Sequence, residues 1–136
     1  MKENDVLSLI PQRPPFIMVG QLRYADEKKA ESSFIVSTDN VLTNDGFFSE
    51  AGIIENIAQS AALHAGFVAR KLGREPPRGM IGGIKNLSIG RLPKVEEVIN
   101  TTISLEHEVI NAKIVKGIVS VGQYVIAECE MKVFLF

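Results

Sequence analysis

Cysteine and long hydrophobic runs are scarce or absent, and each shortage excludes a class of protein. Cys129 is the only cysteine, which rules out an intrachain disulfide and a metal site made of several cysteines. No apolar stretch approaches the roughly 18 residues that a membrane-spanning helix needs. The N-terminal sequence MKENDVLSLIPQRPP lacks the apolar core and the small-residue cleavage site of a secretory signal. We therefore expect a cytoplasmic protein with no membrane-spanning segment.

The composition that remains is that of a soluble globular protein. The chain has 136 residues, of which 46% are hydrophobic and 23% are charged. This length is typical of one domain with its own core, and the sequence contains no internal repeat and no low-complexity segment. We therefore predict a single domain over residues 1–136.

Basic residues are concentrated in one segment, although the net charge is only −1. Between Arg70 and Lys94 there are seven basic residues and one acidic residue, so this segment carries +6 and the rest of the chain −7. One interpretation is a solvated helix end and loop, in which Arg70 and Lys71 complement the helix dipole. The other is a docking surface for an acidic partner, with candidates Arg70, Lys71, Arg74 and Arg78. Nucleic acid is a poor candidate because the segment has no aromatic residue for base stacking.

The sequence GIIENIAQSAALHAGFVARKL, from Gly52 to Leu72, predicts a long helix. Apolar and small residues recur at steps of three or four, as they do on the buried face of a helix. The residues that share this spacing are Ile54, Ile57, Ala58, Ala61, Ala65, Val68 and Leu72. We place the helix at about Ala51 to Leu72, ended by Gly73. Glu55 interrupts the pattern near its start, and because a carboxylate is costly to bury without a partner, it is the first candidate for a functional residue.

The rest of the chain is mostly strand-like. A short helix is predicted at 4–10, with Asn4 or Asp5 as its cap. The strands are predicted at 16–19, 30–37, 80–89, 95–108, 110–121 and 124–136, with a loop at 38–50. One long helix among runs of strands indicates an α+β fold in which the helix packs on a largely antiparallel sheet.

Two segments resemble a known family. The helix segment IIENIAQSAA and the N-terminal segment LIPQRPPFIMV are similar to the ILEAMAQA-like and LPHRYPFLLVD-like segments of the hot-dog-fold 3-hydroxyacyl-acyl carrier protein dehydratases. The segment IGGIKNLSIGRLPKVEEVI resembles the strand and loop that follow the family's helix. The resemblance implies a hot-dog fold, in which a curled antiparallel sheet of about five to six strands wraps one central helix.

The family's catalytic residues match this chain only in part. Glu55 falls on the catalytic helix carboxylate, and Gln59 falls on the glutamine one turn later. The family's catalytic histidine belongs to a GHFPG-like loop, which falls near Val41, where this chain has no histidine. Gly52 is the candidate for the glycine whose backbone N–H binds the thioester carbonyl, but it lies closer to Glu55 than the family's glycine does.

Other residues are implied at the site by the same resemblance. Family members build each site across a dimer interface, so Asn44 and Asp45 are candidates to approach a partner's Glu55. Gly82 and Gly83 are expected to line the acyl tunnel, because the family has a glycine in this strand.

The two histidines and the Gln–Arg pair are interpreted as structural. His64 lies nine residues after Glu55 on the same helix, which places it about 180° away. His107 lies between two glutamates in what is predicted to be an exposed strand end. Gln12 and Arg13 occupy the family's His–Arg positions, between prolines, and are interpreted as positioning a strand.

Three functions are compatible with these residues. The first is a 3-hydroxyacyl-acyl carrier protein dehydratase-like protein of fatty-acid or aryl polyene type synthesis. It would be a homodimer or heterodimer without metal or cofactor, and its acyl group would arrive on the phosphopantetheine of an acyl carrier protein. The second is a hot-dog thioesterase, in which a lone helix carboxylate activates water or attacks the thioester. The third is a non-catalytic companion subunit of a dehydratase heterodimer.

Overall fold

The computed structural model describes residues 3–136 and confirms the α+β architecture. A six-stranded antiparallel sheet has the order β1-β2-β6-β7-β8-β5, and a separate two-stranded hairpin is formed by β3 and β4. The elements are α1 (Glu3–Leu9), β1 (Gln21–Ala25), β2 (Lys29–Ile35), β3 (Thr43–Asn44), β4 (Phe47–Phe48), α2 (Glu50–Lys71), β5 (Gly79–Ile89), β6 (Val98–Val109), β7 (Ala112–Val121) and β8 (Tyr124–Leu135). Among the described residues, no helix is both long and apolar enough to cross a membrane.

The main core lies between α2 and the sheet, and α2 contacts all six strands. Ile53 and Ile57 of α2 are fully buried against apolar residues of β6 and β7. Gly117 of β7 permits this close approach, because a Cβ there would lie 2.6 Å from Ile57 Cγ2. A second apolar cluster joins α1 and β1 to the other side of α2, where Leu63 is fully buried.

The long helix agrees with its predicted limits to within a residue. Ser49 caps its start, since Ser49 Oγ accepts a hydrogen bond from Gly52 N at 3.1 Å. After its end, Gly73 adopts a left-handed conformation with φ +69°. The prediction that Leu72 belongs to the buried face was wrong, because it lies beyond the last helical residue and is 61% exposed.

The predicted strand at 16–19 was also wrong. This segment belongs to no sheet, because side chains of α2 bind its backbone in place of a neighbouring strand. Gln59 Nε2 donates to Phe16 O at 2.8 Å, and Gln59 Oε1 accepts from Met18 N at 2.7 Å. Asn56 Nδ2 donates to Met18 O at 2.6 Å.

The remaining differences are local. The predicted loop at 38–50 contains the β3–β4 hairpin, whose turn residues Asp45 and Gly46 have φ of 52° and 83°, as in a two-residue hairpin turn. A strand that the prediction missed, β1, follows the bound segment and pairs with β2. The short N-terminal helix agrees with its prediction, whereas the side chains of its predicted caps, Asn4 and Asp5, lie outside the described residues.

Candidate functional site

Glu55 is held in place by Gln59, one turn further along α2. Glu55 is half-buried, and its Oε1 accepts a hydrogen bond from Gln59 Nε2 at 2.9 Å. Gln59 is fully buried, and its amide also binds Phe16 O and Met18 N. Both amide hydrogens of Gln59 are therefore in use, so this side chain orients Glu55 and anchors residues 16–18. A contact between Gln59 and a substrate stays a prediction.

A second polar cluster, which the sequence did not reveal, lies beneath this pair. Thr101 Oγ1 donates to Asn56 Oδ1 at 2.5 Å, and Ser60 Oγ donates to Asn56 O at 2.7 Å. Ser32 Oγ lies 2.7 Å from Ser60 Oγ, and all four residues are buried. The cluster links α2 to β2 and β6. In the sequence, only the polar residues Asn56 and Ser60 in a mostly apolar helix indicated it.

Glu55 lies on a half-buried stripe of α2 that faces the edge of the sheet. Ala58 and Ala62 follow it at steps of three and four, so the three residues share one face of the helix. Ala58 and Ala62 line a cleft of about 40 Å³ with residues of β5, β8 and the two proline-containing connections, namely Pro11, Gln12, Pro77, Gly79, Met80, Ile81, Val133 and Leu135. Because β5 is an edge strand, and is exposed except at its last residue, the cleft lies at an open side of the molecule, and Glu55 is about one turn of α2 before it.

Gly52 serves the packing of Phe48. A Cβ at Gly52 would lie 2.5 Å from Phe48 Cε1, and the Phe48 side chain is fully buried. The Gly52 N–H already donates to the capping hydroxyl of Ser49. Its predicted role in binding a thioester carbonyl stays a prediction, and it would require that N–H to leave or share its present acceptor.

The other predicted substrate residues lie away from the cleft. Asn44 and Asp45 are exposed at the tip of the β3–β4 hairpin. Gly83 pairs with Lys132, which alternates with core-facing residues, so it lies on the face of the sheet turned away from α2. Gly82 packs against the Phe134 ring on that same face. The structure therefore does not bring Gly82 and Gly83 to the stripe that contains Glu55.

Neither histidine accompanies Glu55. His64 is buried, and its Nε2–H donates to Asp26 O at 2.9 Å. Burial, followed by the charge of Lys113, lowers the pKa of His64, which favours the neutral ring. His107 is exposed on β6 and lines a groove of about 540 Å³ together with Gly82 and Gly83, on the face of the sheet away from α2.

The predicted docking residues are exposed around the end of α2. Arg70 and Lys71 lie in its last turn, and Arg74 and Arg78 follow in the connection to β5. Arg70 is hydrogen-bonded to Ser8 Oγ of α1. We call these four exposed residues the helix-end basic surface.

One further cation of the basic segment is engaged within the chain. Arg91 makes two hydrogen bonds to the Glu97 carboxylate, at 2.8 and 3.0 Å. Arg91, together with the backbone N–H of Lys94, lowers the pKa of Glu97 to about 2. This pair closes the connection between β5 and β6, so Arg91 contributes less to any external docking than its charge suggests.

A long helix crossing one face of a six-stranded antiparallel sheet, with a carboxylate on its second turn, defines a protein of the hot-dog fold. The chain belongs to the ApeP-like family, whose model, described as ApeP dehydratase, matches residues 4–135. The resemblance inferred from the helix and N-terminal segments is therefore confirmed. No protein of curated function matches the sequence.

Solved structures show the same fold at low sequence identity. The dehydratase heterocomplex ApeI:P from Xenorhabdus doucetiae is similar with a TM-score of 0.89 and 18% identity, covering 96% of this chain and 90% of that chain. An uncharacterized protein from Pyrococcus horikoshii has a TM-score of 0.72 and 15% identity, covering 95% of this chain and 92% of that chain. A hypothetical thioesterase with coenzyme A from Streptococcus pneumoniae has a TM-score of 0.67 and 11% identity, covering 85% of this chain and 84% of that chain.

Proposed function

We propose that this chain is a dehydratase-like subunit that binds 3-hydroxyacyl thioesters beside α2, with Glu55 as its catalytic carboxylate. We further propose that a related, histidine-bearing hot-dog subunit completes the site. The observation that carries the proposal is the state of Glu55, which is half-buried, is held by Gln59 and has no histidine beside it.

Dehydration of a 3-hydroxyacyl thioester requires two proton-transferring groups, a base and an acid. Dehydration breaks the C2–H bond, moves its electron pair into a C2=C3 double bond and expels the C3 hydroxyl as water after it has gained a proton. Glu55 supplies a carboxylate for one of these proton transfers. Since neither His64 nor His107 is near it, the second group comes from the partner subunit.

The β5 edge is where the partner would dock. This strand has 11 residues and is unpaired on one side, and its exposed apolar residues include Met80, Ile81 and Ile84. An exposed apolar edge of this length readily pairs with a strand of another chain. The opposite edge, β1, has only five residues. The similarity to a dehydratase heterocomplex supports a related hot-dog subunit as the partner. In a homodimer, a second copy of this chain would use the same edge.

The acyl group would be delivered by an acyl carrier protein through its phosphopantetheine thioester, in the cytoplasm and without a metal or cofactor. The helix-end basic surface, formed by Arg70, Lys71, Arg74 and Arg78, supports an acidic carrier protein by charge complementarity. Membership of the ApeP-like family supports a place in fatty-acid or aryl polyene type synthesis.

A reconstitution experiment tests the proposal. The full chain is assayed for loss of water from a 3-hydroxyacyl thioester alone, then with a histidine-bearing hot-dog subunit, each time with Glu55→Ala as the control variant. We expect little turnover alone, faster turnover in the mixture, and loss of that gain with Glu55→Ala. Equal rates for wild type and Glu55→Ala in the mixture would remove Glu55 from the mechanism.

A thioesterase is the second candidate. A lone helix carboxylate without a histidine suits attack on a thioester carbonyl or activation of water, and one similar structure is described as a hypothetical thioesterase. Release of free thiol by the isolated chain, abolished in Glu55→Gln, would favour this function over dehydration.

A further inference from the structure

A lysine on a central strand faces the core side of the sheet, near the end of α2. Val115 and Val119 of β7 are buried in the main core. Because side chains alternate along a strand, Lys113 of the same strand faces the same side. Lys113 is only 9% exposed. Such burial is unusual for a lysine, because a charge removed from water is costly unless partners surround it.

The ammonium group of Lys113 has few partners among the described residues. Its one ion pair is with Glu108 Oε2 at 3.5 Å, and the Glu108 side chain is 57% exposed, so water weakens this pair. No hydrogen bond joins Lys113 Nζ to any other residue that the structure describes. His64 is close, since burial and then the charge of Lys113 lower its pKa, and its neutral ring supplies no counter-charge. An ammonium group has three donors, so Lys113 keeps the capacity to bind an anion.

Lys113 lines a cleft of about 370 Å³ at the end of α2. The apolar residues of this cleft are Val68, Leu72 and Leu105, and its other charged residues, all exposed, are Glu27, Lys28, Lys71 and Glu108. Three ammonium groups and two carboxylates give the cleft a net charge of +1, with the least exposed of the charged residues, Lys113, positive. The cleft has room for on the order of ten water-sized groups, so a ligand larger than a simple inorganic anion would fit.

The cleft is separate from the stripe that contains Glu55. Val68 follows Glu55 by 13 residues, which corresponds to about 20 Å along the helix axis and to the roughly opposite side of α2. A ligand in this cleft would therefore not reach Glu55, and the inference below does not depend on the proposed function.

We propose that this cleft, which we call the Lys113 cleft, binds a monocarboxylate with an aliphatic chain of medium length. The carboxylate accepts hydrogen bonds from the Lys113 ammonium group, and the aliphatic chain packs against Val68, Leu72 and Leu105. The net charge of +1 suits a monoanion, whereas a phosphate group carries more charge and is usually bound by several donors. The apolar residues add affinity that only a ligand with an apolar chain can use.

The test measures binding of octanoate to the full chain by calorimetry. Octanamide has the same size without the charge, and acetate has the charge without the chain. We expect octanoate to bind saturably and about 10- to 100-fold more tightly than octanamide. Acetate should bind more weakly than octanoate because it leaves the apolar residues uncovered.

Three variants assign that preference. Lys113→Met should lose the preference for octanoate over octanamide and keep at least the wild-type Tm, because it removes a nearly buried charge. Lys116→Met makes the same change on the opposite face of β7 and should keep the wild-type preference. Glu108→Gln removes the competing carboxylate, so it should bind octanoate several-fold more tightly.

The outcomes are separable. Equal affinities of the wild type for octanoate and octanamide, or an unchanged preference in Lys113→Met, would overturn the proposal. Octanoate binding that is lost in Glu55→Ala but kept in Lys113→Met would place the ligand beside Glu55 and would also overturn it. If Lys113→Met does not fold, Glu108→Gln decides, and an affinity for octanoate no higher than that of the wild type refutes the proposal.

Discussion

Replacing Gln59 with methionine should destabilise the protein by about 1–3 kcal/mol. The reason is Met18, which is fully buried and whose N–H donates to Gln59 Oε1 at 2.7 Å. Methionine keeps an unbranched side chain of similar length, so the packing changes little and the lost hydrogen bonds dominate.

The three bonds of Gln59 do not contribute equally. The Met18 N–H would stay buried without an acceptor, which costs about 1–3 kcal/mol. Phe16 is 61% exposed and Glu55 is half-buried, so water can replace Gln59 at both oxygens at little cost. For a chain of this length the loss corresponds to a fall in Tm of roughly 4–12 °C.

Urea unfolding and amide hydrogen exchange measure this effect. In the wild type the Met18 amide should exchange slowly although it lies outside every strand, and in Gln59→Met it should exchange much faster. Glu55→Gln is the matched control, because it leaves the bonds between Gln59 and the backbone intact and should change stability by less than about 0.5 kcal/mol. A denaturation midpoint for Gln59→Met equal to that of the wild type, with an unchanged m-value, would refute the reasoning.

Two further predictions concern Gly52 and Glu97. Gly52→Ala should lower the free energy of unfolding by about 1–3 kcal/mol, because its Cβ would lie 2.5 Å from the Phe48 ring. Gly83→Ala is the control in thermal unfolding, because a Cβ at Gly83 would meet open space. Equal Tm values for the two variants would contradict this prediction. The folded-state pKa of Glu97 lies near 2, below its ordinary 4.5, so its pair with Arg91 stabilises the fold above pH 4.5 and this contribution is lost as pH falls toward 2. Glu97→Gln should therefore lower the free energy of unfolding by about 1 kcal/mol at pH 7 and make stability fall less steeply with pH below 4.5. If stability depends on acid pH in the same way in the variant and the wild type, the pair with Arg91 does not contribute as proposed.

Repetitive patterns in the sequence were reliable because they report a local geometry. The step of three and four from Ile54 to Val68 identified α2 to within a residue, and runs of strand-forming residues identified β6, β7 and β8. The prediction failed at 16–19, whose partners, Asn56 and Gln59, are about 40 residues away. A strand and a segment bound by side chains have the same local pattern, so the sequence alone does not distinguish them.

The placement of the site depended on the same kind of distant contact. The helix sequence identified Glu55, and the family resemblance suggested that Gly82 and Gly83 would line the same site. An irregularity in the pairing of β5 with β8, between Ile81 and Gly83, instead leaves both glycines on the other face of the sheet. Gln12 was interpreted as a structural residue, and only the tertiary structure shows that its side-chain oxygen is buried without a donor.

The sequence by itself determined the long helix and the four long strands, the family, and the lack of a histidine at the family's position, because these follow from the order and spacing of residues along the chain. The tertiary structure decided what holds Glu55, which face of the sheet each strand residue occupies and where an acceptor is left unpaired. Those properties depend on contacts between distant segments, and a hydrogen bond between residues 16 and 59 exists only after the core has brought them together.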